Sequence, residues 1–192
     1  MKTKSLVGLL LCGAFCGCAD SQADSRPGSQ PDQSQQQQQQ QVEVKLLDFD
    51  GIQKLIAGHR GKVVVMDAWS TSCKPCLEEF HNLVELHHTY GPDRVACVSL
   101  SFDYEGIGEP EAERERVLKF LRGQRATFDN VLSSEESDQL YRKYKLASVP
   151  AVFVYGRDGK LAKRFDNERA RSKAEKFTYG QVKQFVAELV SK

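Results

Sequence analysis

Cys73-Lys74-Pro75-Cys76 is the stretch of this sequence best equipped for chemistry. Two thiols separated by two residues can close a small disulfide that opens and closes by exchange. A thiol at a helix N-terminus is shifted toward the nucleophilic thiolate at neutral pH. Lys74 adds a positive charge beside Cys73 that favours the same thiolate, and Pro75 suits the first turn of a helix. Rival chemistries fit the residues less well. A structural zinc site needs four ligands, and the chain has no second Cys-x-x-Cys or Cys-x-x-His pair. Covalent haem attachment needs a His directly after the second Cys, where Leu77 stands. An inert structural disulfide would restrain the unfolded chain little across so short a loop.

The flanking elements suit redox chemistry. Lys62 to Trp69 (KVVVMDAW) is an apolar, β-branched run of buried-strand length, and Leu77 to Tyr90 carries apolar residues at helical spacing. Strand, short loop, Cys-x-x-Cys and helix is the setting in which the motif reads as redox-active. Further elements follow along the chain. Val42 to Leu47 alternates like an edge strand, and Phe49 to Ala57 reads as a helix ending at Gly58. The helix from Lys74 should stop at Gly91-Pro92, and Arg94 to Ser101 is the next strand. Glu109-Pro110 opens a helix with Gly123 just past its end, residues 128–132 extend, and Ser133-x-x-Glu136 reads as a capping box for a helix to Tyr144. Ala151 to Tyr155, an Arg157-Asp158-Gly159 turn and Leu161 to Phe165 form a hairpin. Thr178-x-x-Gln181 caps a last helix with Val182, Phe185, Val186 and Leu189 on one face. This order implies an α/β sandwich with helices on both faces of the sheet.

Residues 1–17 read as a secretory signal: Lys2 and Lys4, an apolar stretch from Leu6 to Phe15, then small residues. Phe15-Cys16-Gly17-Cys18 resembles a bacterial lipobox with Cys18 as acceptor, although Phe15 departs from the usual Leu. A soluble exported protein is the alternative. Residues 18–41, rich in Ser and Gln and including the run Gln35 to Gln41, cannot bury a core and should form a tether. A flexible tether of that length reaches roughly 25 Å. Residues 42–192 would then be the folded domain. The formal net charge of +1 offers no case for nucleic acid. Cys97, in the strand from Arg94, reads as a small buried hydrophobe rather than a third redox thiol, and His59, His81, His87 and His88 show no ligand pattern and are most simply solvated.

Trp69-x-x-x-Cys73-x-Pro75-Cys76 on the first βα junction, with Val149-Pro150 before the hairpin, resembles the thioredoxin fold, and within it the exported TlpA/ResA-type thiol–disulfide oxidoreductases. The helical insertion from Asp103 to Arg125 is similar to that group's. The resemblance implies a thioredoxin-like three-layer sandwich with an N-terminal strand and helix extension and a central helical insertion. It implies that Cys73 attacks a partner and that Cys76, buried one turn into the helix, resolves the mixed disulfide. Asp67 stands where thioredoxin has a buried acid that exchanges a proton with the second Cys; the alternative is an Asp that bonds loop amides. Pro150 matches the family's cis-proline, with Val149 pairing through its backbone with a partner segment. Trp69, Lys74 and Pro75 complete the implied partner site, with Trp69 packing beneath the active-site loop or, as the alternative, simply filling the core, and Ser72 replaces an aromatic that commonly precedes the first Cys.

The expected function is an extracytoplasmic, lipid-anchored oxidoreductase with no cofactor beyond its own disulfide. It would be a monomer exchanging with protein thiols and disulfides and recharged by an upstream reductant. Two other classes stand beside it. A Sco-type copper-handling protein spaces its cysteines by three residues, unlike Cys73 and Cys76, and a non-catalytic binding lipoprotein would keep the disulfide without turnover. A peroxidatic role fits less well, because Met66 and Ser70 stand where Pro-x-x-x-Thr-x-x-Cys requires Pro and Thr.

Overall fold

The computed structural model describes residues 41–192. The expected signal, the acceptor Cys18 and all but the last residue of the expected tether lie outside the described residues.

Strand β2 (Val63–Trp69) lies in the middle of the sheet, and all seven of its residues are buried. Its near-continuous apolar sequence is what a strand covered on both faces requires. It pairs in parallel with β3 (Val95–Ser101) and antiparallel with β5 (Ala151–Tyr155). β4 (Asp129–Ser133) continues the parallel half, with β1 (Lys45–Leu47) at that edge; β6 (Leu161–Phe165) closes the other edge antiparallel to β5. The order is β1-β4-β3-β2-β5-β6.

Alternate residues of β2 serve opposite faces, as the strand period of two dictates. Val63, Val65 and Trp69 pack in one core with Leu83 and Leu86 of α3 (His81–Arg94), Val117 and Leu121 of α4 (Glu111–Gln124), and Val182 and Val186 of α6 (Tyr179–Val190). Val64, Met66 and Ala68 pack in the other with Ile52 and Ile56 of α1 (Phe49–Gly58) and Leu140 and Tyr144 of α5 (Ser137–Tyr144). The fold is therefore the expected thioredoxin-like three-layer sandwich, with β1 and α1 as the N-terminal extension and α4 as the insertion between β3 and β4.

Several boundaries differ from the sequence reading. The helix expected from Lys74 is two pieces, α2 (Lys74–Glu79) and α3, that meet at the fully buried Phe80. Gly91, at φ 67, interrupts the helical path where the sequence placed its end, and Pro92 begins a further turn. Gly123 lies inside α4; the left-handed cap is Arg125 at φ 55, held by its N–H to Arg122 and Leu121 carbonyls. The capping box at Ser133 does not form, because Ser133 is the last residue of β4 and its hydroxyl bonds the backbone of Glu135. The Thr178–Gln181 box does form and sets the start of α6. Its buried face is Tyr179, Val182, Val186 and Val190, with Phe185 and Leu189 half-covered beside it.

Candidate active site

At the end of β2 the chain turns through Ser70–Ser72 into α2, and Cys73 and Cys76 are joined in a disulfide there. Cys73 is the residue capping α2, and its Sγ accepts the Cys76 N–H at 3.3 Å. The two sulfurs sit in unlike places: Cys73 is half-buried at the surface, whereas Cys76 is 3% exposed. That inequality follows from the helix, which turns its fourth residue inward beneath its first. Lys74 points into solvent with its Nζ 3.8 Å from Glu78 Oε1, so its charge is shared with that carboxylate rather than given to Cys73 alone. Glu78 and Glu79 stand at the end of α2, not in its first turn.

Beneath the loop, Trp69 is wholly buried, with its ring 5.2 Å from Phe80 and 4.8 Å from Phe120 of α4. It packs beneath the loop, as expected, and its burial keeps it from touching a partner directly, so it can serve the partner site only by supporting the loop from below. The loop is also tied by an acid that the sequence reading missed. Asp103, buried just past β3, accepts Thr71 N–H at 2.9 Å, the Ser101 hydroxyl at 2.6 Å and Arg116 Nη2 at 3.3 Å. Ser72 N–H bonds Ser70 Oγ at 3.1 Å within the same turn. Bonding loop amides, the alternative weighed for Asp67, is thus the work of Asp103.

Asp67 lies in the interior of β2, 3% exposed, and accepts a hydrogen bond from the Tyr179 hydroxyl. Burial pushes its carboxyl from 3.8 up to about 7, against the opposing pull of that hydrogen bond. Burial, with the charge of Asp67 beside it, likewise holds the Tyr179 hydroxyl well above its ordinary range. Tyr179 is the first residue of α6, oriented by the Thr178–Gln181 box. Cys97, on β3, is buried, and its Sγ–H donates to the Leu83 carbonyl at 3.7 Å. Burial and then the nearby Asp67 charge push its thiol up to about 12, so it stays protonated and inert at neutral pH.

A cleft of about 630 Å³ opens on this arrangement and is lined by Asp67, Pro75, Cys76, Pro150 and Tyr179 among others. The Val149–Pro150 peptide is cis. Val149 is half-buried against the margins of both cores and is not part of the cleft lining. Of the expected site residues the fold thus gathers Asp67, Pro75, Cys76 and Pro150 in one cleft, with Cys73 at the helix start beside it. It leaves Lys74 outside and Trp69 beneath. Two of the histidines expected in solvent are not there. His59 Nε2 lies 2.9 Å from Asp129 Oδ2, and half-buried His87 has its pKa lowered by burial and then by the His88 charge.

Residues 33–164 match the model of the AhpC/TSA family. The thiol-disulfide oxidoreductase ResA of Geobacillus thermodenitrificans is 30% identical over 118 residues, which are 62% of this chain and 62% of that protein. The ResA of Bacillus subtilis is 25% identical over 118 residues, 62% of this chain and 60% of the relative. The chain therefore spans about three-fifths of the length of these curated relatives. Among solved structures, a secreted Mycobacterium tuberculosis disulfide oxidoreductase superposes with a TM-score of 0.52 at 19% identity, covering 69% of this chain and 86% of that one. A thiol-disulfide isomerase from Corynebacterium glutamicum gives 0.55 at 18%, covering 71% and 85%. At those identities the likeness shows the thioredoxin-like fold alone. The match to the family model runs through five of the six strands and the whole Cys73–Cys76 region, well over half of the sequence, and the chain belongs to the AhpC/TSA family.

Proposed function

We propose that the chain is a thiol–disulfide oxidoreductase that reduces protein disulfides through Cys73 and Cys76. The observation that carries this reading is the asymmetry of the dithiol: one sulfur at the surface capping a helix, the other buried one turn in, with a buried acid of raised pKa in the same cleft. In the reduced protein the Cys73 thiolate is stabilised by the Cys76 N–H and attacks one sulfur of a partner disulfide. A mixed disulfide forms and the partner's other sulfur leaves as a thiolate. Cys76 then gives its proton to the Asp67 carboxylate and attacks Cys73 Sγ, closing the intramolecular disulfide. The second partner sulfur leaves and takes a proton, which Asp67 can return. Two electrons pass from the dithiol to the partner, and an upstream dithiol restores Cys73 and Cys76. An acid near pKa 7 suits both directions of that transfer.

The main chain at Val149, beside Pro150, would pair with an extended partner segment, so that recognition rests on backbone hydrogen bonds. Met66 and Ser70, in place of the peroxidatic Pro and Thr, favour exchange over peroxide chemistry within the family. The N-terminal signal pattern and Cys18 support export and anchoring by acyl chains outside the cytoplasm. Reduction of insulin disulfides by the protein with a dithiol donor tests the activity. Turnover lost on Cys73→Ser is expected; wild-type protein without turnover would leave a binding module.

A further inference from the structure

The loop between β6 and α6 forms the outer wall of the cleft beside Cys76, and its charges are unevenly engaged. Residues 166–176 hold three acids, Asp166, Glu168 and Glu175, and four cations, Arg169, Arg171, Lys173 and Lys176. Each acid already has hydrogen-bond partners within the protein. Asp166 and Glu168 accept from Arg164 at 2.6 and 3.3 Å, and Glu175 accepts the Arg171 N–H at 2.9 Å and the Ser172 hydroxyl at 3.2 Å. Arg171, Lys173 and Lys176 line the cleft, are exposed, and join none of the ion pairs found among the described residues.

The loop is a built wall rather than a loose tail. Asn167 Oδ1 accepts Phe177 N–H at 3.0 Å, Ala170 N–H bonds Asn167 O at 3.1 Å, and Phe177 packs 6.2 Å from Phe165. The facing wall carries Glu78 and Glu79: Glu78 is paired with Lys74, whereas Glu79 accepts from the Asn82 amide at 2.9 Å, a neutral partner that leaves its charge in place, and Asp67 lies buried at the cleft floor. Three cations free of ion pairs among the described residues, Arg171, Lys173 and Lys176, thus outnumber the two lining acids without an ion-pair partner there, Asp67 and Glu79, and the balance beside Cys76 is positive.

We infer that this cleft selects partner segments carrying acidic residues next to their cysteine, which Arg171, Lys173 and Lys176 engage while the partner's sulfur meets the dithiol. The inference rests on the exchange reading for the second half of that statement only. Charges on an interface rim act mainly on association rate and are screened by salt.

Short synthetic disulfide-closed peptides that differ only in Asp, Asn or Lys beside the cysteines provide the test. Second-order rate constants for their reduction by the dithiol form should favour Asp over Lys by about tenfold at low ionic strength, shrinking to about twofold near 0.5 M salt. The charge reversal Arg171→Glu/Lys173→Glu/Lys176→Glu should invert the order, and Arg171→Gln/Lys173→Gln/Lys176→Gln should abolish it. The same peptides are titrated into the oxidised protein by NMR, where no exchange is possible. Reduction of all peptides at equal rates, or a preference untouched by either triple variant, overturns the cleft inference and leaves the exchange reading standing. Asp-selective binding without reduction of any peptide upholds the cleft and overturns the exchange. Neither selective binding nor reduction overturns both.

Discussion

Replacing Asp67 with Asn should reverse sign in its effect on stability as pH rises. In the oxidised protein burial lifts the Asp67 carboxyl from 3.8 to about 7. Below pH 3.8 both folded and unfolded chains carry its proton and the group costs nothing. Between there and about 7 the folded state keeps a proton that the unfolded state releases, so stability falls by about 1.4 kcal/mol per pH unit. The full loss, about 4 kcal/mol, is reached above pH 7. Asn at this position still accepts the Tyr179 hydroxyl but buries amide N–H groups without partners, a cost of about 1–3 kcal/mol at every pH. The variant should therefore be less stable than wild type by about 1–3 kcal/mol at pH 4 and more stable by a similar amount at pH 8. Urea denaturation of both oxidised proteins from pH 4 to 8 measures this. The difference between them cancels contributions common to both, including Asp129, whose burial is outweighed by Lys45 and His59 so that its pKa is lowered, and His87. Cys97 and Tyr179 stay protonated throughout that range and add no slope. Parallel stability curves for wild type and variant would refute a raised Asp67 pKa and, with it, the case for Asp67 as the proton acceptor.

Other expectations follow from the same geometry. Tyr179→Phe removes the hydrogen bond that lowers the Asp67 pKa, so the pH midpoint of the resolving step, followed by stopped flow, should move upward. Asp103→Ala leaves the Thr71 and Ser101 donors unpaired and should cost about 3 kcal/mol in urea denaturation. It should also change the rate at which Cys73 in the reduced protein alkylates, by loosening the loop before it. Cys97 should resist alkylation until the protein is denatured, and Cys97→Ala should cost about 1 kcal/mol with insulin reduction retained.

The dithiol and its strand–loop–helix frame were readable because they are local: a β-branched run, four residues of motif and a helical period. So was the Thr178–Gln181 box, whose two partners lie three residues apart. The remainder of the site is assembled over long chain separations. Tyr179 reaches Asp67 across 112 residues and Asp103 reaches Thr71 across 32, and no periodicity links such positions. The burial of Trp69 was readable from local pattern as well. Val63, Val65, Asp67 and Trp69 share one face of β2 by alternation, which already places the indole in a core rather than at a surface. Ser133 misled because its spacing to Glu136 satisfies the capping pattern while the pull of β4 pairing keeps it in the strand. Hydroxyl-to-backbone bonding is common to both settings, so the local pattern could not separate them.

The central claim is that the two cysteines have different jobs, Cys73 attacking and Cys76 resolving. Mass spectrometry of Cys76→Ser and Cys73→Ser proteins, each reduced and then mixed with a disulfide-bonded protein substrate at neutral pH, tests it directly. Cys76→Ser should accumulate a stable mixed disulfide on Cys73, Cys73→Ser should react far more slowly, and wild type should pass to the Cys73–Cys76 disulfide without accumulating an adduct. Adducts forming at equal rates on both variants, or on neither, would contradict the account.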